Sequence, residues 1–100
     1  MSDWSFLTHH AQVLLCVAKE PRMRLRDIGD CVGVTERAAH RLVCELEQGG
    51  YLTRHRDGAR NAYEIHPDLP LPGDLEGHVR VKDILAVLVD ERDGDRAKEN

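Results

Sequence analysis

No apolar run in this chain approaches the ~20 residues needed to cross a bilayer; the longest, such as Ile84 to Val89, stop far short. The opening MSDWSFLTHH lacks the basic start and apolar stretch of a signal peptide. The expectation is therefore a soluble cytoplasmic protein with no membrane partner. Cysteine is scarce and unpatterned. Cys16, Cys31 and Cys44 make an odd count with no CxxC spacing, which excludes a disulfide framework, and each falls in a helix-like stretch where a buried thiol is expected. His9, His10, His55, His66 and Cys16 show no metal-ligand spacing, so neither a metal nor another cofactor is expected. A glycine-rich phosphate loop, a nucleophile elbow and paired carboxylates are also missing, which leaves an enzyme without support.

An overall cationic surplus is lacking too. The net charge is −4, which on its face argues against a polyanionic partner. Its distribution changes the argument. From Lys19 to Arg60 nine Lys or Arg stand against seven Asp or Glu, an excess of +2, while Asn61 to Asn100 carries −5. The basic excess lies where the helical patterns are densest.

One hundred residues is the size of one domain with a substantial core. Thr8 to Glu20 reads as a helix with Ala11, Leu14, Leu15 and Ala18 on one face and Pro21 ending it. A short extended piece, Met23 to Leu25, follows. RDIGDCVG then forms a second helix, stopped by Gly33. In GVTERAAHRLVCELEQGGYL, Thr35 is a candidate N-cap. Ala39, Leu42, Val43 and Leu46 fall at i, i+3, i+4 and i+7, and Gly49-Gly50 supplies a left-handed stop. Two helices joined by so tight a glycine turn form a helix-turn-helix unit. Beyond it, Asp57-Gly58 between strand-like runs signals a hairpin over residues 51–65, with Arg54, Arg56 and Arg60 clustered near its tip. Pro67, Pro70, Pro72 and Gly73 make an irregular linker. Val81, Ile84, Leu85 and Leu88 repeat as in a final helix over about 81–91, and residues 92–100 read as a disordered tail. The expectation is a single domain over 1–91 with its core at 8–66.

This order, carried by LRDIGDCVGVTERAAHRLVCELEQGGYLTRHRDGARNAYEI, resembles the winged helix-turn-helix transcription regulators of the MarR-like and ArsR-like group. The resemblance covers about Thr8 to His66. It implies an α+β, mostly helical fold: a winged helix-turn-helix with a two-stranded wing hairpin, here with an additional C-terminal helix. Gly29 stands where such proteins more often have alanine, which lowers the helix propensity by up to ~1 kcal/mol. Ala38 and Ala39 replace the usual threonine and valine, and the ArsR-type metal-binding cysteines are absent.

The resemblance further implies double-stranded DNA as partner, with helix 35–48 in the major groove. Opposite the core stripe it carries Glu36, Arg37, His40, Arg41 and Cys44. Glu36, Arg37 and His40 are then the base readers, because arginine suits guanine, a carboxylate suits cytosine N4, and histidine serves a purine. Thr35, Arg41, Arg54, Arg56, Arg60 and Asn61 are the expected backbone contacts. Surplus apolar side chains, Trp4, Phe6, Leu7, Ile84, Leu85 and Leu88, point to a homodimer. The competing reading is a winged-helix protein-interaction module that docks a protein on the same face. No small-molecule effector is legible.

Overall fold

Thr8 starts the first helix by accepting, through its side chain, the Ala11 amide at 3.2 Å. The computed structural model describes residues 6–72 and 78–88. Trp4, Gly73, Val89, the end of the final helix expected past it, and the tail from Arg92 lie outside those residues. The elements are α1 (His9–Lys19), α2 (Leu25–Val32), α3 (Glu36–Gln48), β1 (Leu52–Asp57), β2 (Arg60–Ile65) and α4 (Val81–Leu88). This is the mostly helical α+β winged helix expected from the sequence. Two compact units divide the chain, one ending at His66 and the other starting at Pro67.

In the first unit, α3 buries Ala39, Leu42, Val43 and Leu46, the four residues its periodicity marked. With Val13, Leu14, Val17, Ile28, Leu52 and Tyr63 they form one apolar core. The stripe of α1 differs from its expectation: Val13, Leu14, Cys16 and Val17 are buried, while Ala11, Leu15 and Ala18 are half-buried. The reason is that α1 packs against α2, α3 and β2 together, so its inward face is wider than one stripe. No strand forms at Met23 to Leu25. Leu25 already belongs to α2, and the approach to it offers the wing one main-chain bond, from the Tyr63 amide to the Pro21 carbonyl at 2.9 Å.

The two glycine stops act differently. Gly33 takes up φ 91° after α2, and the amides of Gly33 and Val34 both donate to the Gly29 carbonyl, at 2.7 and 2.8 Å. After α3, Gly49 stays right-handed and Gly50 alone turns left-handed, at φ 86°. The Gly50 amide donates to the Glu47 carbonyl and the Tyr51 amide to that of Leu46, the paired bonds of a Schellman end. Gly29 is buried where α2 meets the next turn. A Cβ there would lie 2.7 Å from the Val34 carbonyl oxygen, so the alanine common in similar regulators does not fit this backbone.

The hairpin is antiparallel with Leu52 opposite Ile65 and Asp57 opposite Arg60. Its turn is therefore Gly58-Ala59, one residue later than Asp57-Gly58. Gly58 at φ 65° supplies the positive first position, and Ala59 needs none. Direct pairing puts Arg54 and Arg56 on the face of Tyr63 and Asn61, and Arg60 with Asp57 on the other. The three wing arginines thus do not form a single cluster.

Of the three thiols only Cys16 is buried; Cys44 is half-buried and Cys31 exposed, contrary to the expectation for all three. Burial, and then a hydrogen bond with the neighbouring Cys31 thiol, pushes the Cys16 thiol up to about 12.

The second unit carries the Pro70–Arg80 bridge and α4. Val81 is fully buried, Ile84, Leu85 and Leu88 are half-buried, and Val87 is 78% exposed. Among the described residues no helix is long and apolar enough to cross a membrane.

Candidate nucleic-acid interface

The outer face of α3 follows from the burial of its other side. Thr35 caps the helix by accepting from the Ala38 amide at 3.0 Å, and its hydroxyl proton stays available to a further acceptor. Glu36, Arg37, His40 and Arg41 are exposed, and Cys44, one turn further on, is half-buried. The side chain of Arg37 makes no ion pair or hydrogen bond with the described residues, and neither does that of Glu36. His40 Nε2 lies 3.5 Å from Cys44 Sγ.

Glu45 orders the next turn. It meets His10 Nε2 of α1 at 2.7 Å and Arg41 at 3.4 Å. The His10 hydrogen bond, and with it the Arg41 charge, holds the Glu45 carboxyl below the usual carboxylate range. Arg41 is thereby steered along its own helix, away from α3's leading turn.

The wing residues are only partly free. Arg54 lies 3.4 Å from Glu47 of α3, linking strand to helix. Arg56 donates through Nε to the Gly58 carbonyl at 3.1 Å, inside its own turn. Arg60 reaches back across the fold to donate to the Arg22 carbonyl at 2.8 Å. Arg22 in turn meets Asp57 at 3.2 Å. On the rest of the hairpin, Glu64 is held below the usual range by the hydrogen bond from His55, 2.8 Å away.

A pocket of about 360 Å³, open to solvent, lies between the approach to α2, the first residue of α3 and the wing turn. Arg22, Arg24, Arg26, Arg60, Glu36 and Asn61 are among its lining residues. Arg22, Arg24 and Arg26 were not singled out from sequence, although they alternate in PRMRLRD and so offered a signal of a basic edge. The structure thus brings Glu36 of the base-reading set together with Arg60 and Asn61 of the backbone set. It leaves Arg37, His40 and Arg41 on the open helix face and Arg56 at the turn. Phe6 is 92% exposed and Leu7 half-buried at the other end of the unit's sequence. Among the described residues no group of three or more His, Cys, Asp or Glu is placed to hold a metal ion.

The family model described as the IclR helix-turn-helix domain matches residues 7–56. That range runs from α1 through α3 into β1 and contains every α3 residue discussed above. No curated protein matches the chain. The match assigns the helix-turn-helix to the IclR type and not specifically to the MarR-like or ArsR-like group.

Proposed function

Since the chain belongs to the IclR helix-turn-helix domain family, the DNA-binding winged helix of prokaryotic transcription regulators, we propose that it reads its operator through the first turns of α3. Glu36, Arg37 and His40 meet base edges in the major groove. Thr35, Arg41, Arg56, Arg60 and Asn61 hold phosphates, and Arg54 supports the wing from its place beside Glu47. The observation that carries this is Arg37: exposed, unpaired among the described residues, and set on a helix whose start is fixed by the Thr35 cap. Its likeness to MarR-like and ArsR-like regulators is then one of shared architecture. The cytoplasm, where such DNA lies, is its place.

Titrating random duplex DNA at several salt concentrations tests the reading. Affinity should fall steeply with salt, by about 0.9 logarithmic unit per neutralised phosphate for each tenfold rise in salt. A flat dependence, with the same α3 face capturing a protein, would favour the interaction module.

We further propose that residues 1–91 act as one functional domain that assembles as a homodimer. Its support is the exposed Phe6, together with Leu7 and the half-buried Ile84, Leu85 and Leu88. Trp4 is included on its sequence alone. Sedimentation at tens of micromolar should show a dimer, well above the ~1 μM range in which many such pairs form, and Leu85→Asp with Leu88→Asp should leave a monomer. A monomeric parent protein would end this proposal.

A further inference from the structure

We propose that the arginine-lined cavity beside the wing is a phosphate seat, open both to a backbone phosphate of bound DNA and to a free phosphate-bearing ligand that competes with it. The inference rests on the DNA-binding reading for the first occupant only.

Four arginines, Arg22, Arg24, Arg26 and Arg60, are among the residues that line this one space. Among its lining residues Glu36 is the sole acid, and Asp57 answers Arg22 from the wing. The side chains of Arg24 and Arg26 make no ion pair or hydrogen bond with the described residues. Arg60 is the telling member. One of its terminal nitrogens is taken by the Arg22 carbonyl, yet its Nε is buried without a hydrogen-bond partner. A buried N–H on a cation that lacks an acceptor is costly, so an anion brought near the Arg60 guanidinium is favoured by its charge, although this nitrogen, closed to solvent, takes no direct bond from an occupant of the cavity.

Phosphate fits what is missing. A guanidinium fork matches two phosphate oxygens, and four arginines around one space favour a multiply charged oxyanion over a single carboxylate. Arg24 stands at the start of α2 without a side-chain cap, and Leu25 and Arg26 of that helix's first turn line the same space. The volume of about 360 Å³ exceeds a bare phosphate and leaves room for the group that carries it. Because Glu36 and Asn61 belong to the same lining, an occupant sits against the first residue of α3 and the wing together. A small phosphate ester there would exclude DNA from both.

The test uses inorganic phosphate as the probe, titrated into the whole protein at constant ionic strength set with chloride. The readouts are the arginine Nε–Hε resonances by NMR and the affinity for a duplex. Arg24→Gln with Arg26→Gln is the variant, since both side chains are exposed. Phosphate should shift the Arg60 resonance saturably in the parent, and the double variant should weaken that shift at least severalfold. On duplex DNA the variant should lower the salt slope by about one unit per lost contact. Phosphate should also compete with DNA in the parent more than in the variant. Saturation by phosphate in a protein that binds no DNA would uphold the free-ligand occupant and remove the DNA one, together with the proposed function. DNA binding with an unchanged slope in the variant and no saturable Arg60 shift would overturn the seat while leaving that function intact.

Discussion

Gly29→Ala should destabilise the domain by about 1–3 kcal/mol, the range for forcing extra volume into a packed site. The added Cβ would lie 2.7 Å from the Val34 carbonyl oxygen and 3.1 Å from that of Thr35. Both are backbone atoms of the turn, so no side chain can swing aside. Alanine's better helix propensity returns at most ~1 kcal/mol. In thermal unfolding followed by circular dichroism the midpoint should fall by about 5–15 °C for a domain of this size. DNA affinity measured well below that midpoint should fall as well, because the clash is relieved only by moving the start of α3. A variant as stable as the parent would mean that propensity outweighs packing here, and that the observed approach of α2 to the turn is not required.

Arg37→Ala carries the largest expected loss at the DNA level. A bidentate arginine contact to guanine contributes about 1 to 3 kcal/mol of discrimination, roughly 5- to 150-fold in affinity at the preferred site. The loss should be confined to that site, with selectivity relaxed at one base pair. Arg56→Ala is the contrast, a wing-turn residue that should weaken all duplexes alike and lower the salt slope by about one unit. Arg60 serves less well for this purpose, because its bond to the Arg22 carbonyl makes it part of the domain's own structure. Titration of both variants on specific and scrambled duplexes at two salt concentrations separates base reading from backbone holding. Unchanged selectivity in Arg37→Ala would remove α3's leading turn from base recognition.

α3 was legible because its signals agree: the Thr35 cap, the 39, 42, 43, 46 stripe and the glycine stop all describe one helix. α1 was legible as a helix but not in its facing. Nearly every position from Ala11 to Ala18 is apolar, so several stripes fit equally until three neighbouring elements choose among them. The hairpin was readable and its turn off by one, since Gly58 can occupy either central position of a two-residue loop. That single step of register also decides which arginines share a face. The cavity had a local signal only in its basic edge, PRMRLRD. It depends on Arg60 meeting Arg22 across 38 positions of chain, a contact that only the folded arrangement creates. Cys31 shows the same limit: a helical pattern predicts its helix, not its exposure.

The Schellman end of α3 has a consequence for how such a domain can change its target. Because the Tyr51 amide donates to the Leu46 carbonyl, the chain leaves the helix and enters the wing within one hydrogen-bonded turn. Arg54 then fastens the strand to Glu47 of that same turn. Helix and wing are thus two arms of one caliper with a fixed jaw. Lengthening the connection between them would break these bonds, so the spacing of the two arms is closed to adjustment by insertion. On the proposed reading, new sites would be reached instead by exchanging side chains at positions 36, 37 and 40, where the backbone asks nothing of the residue beyond helix.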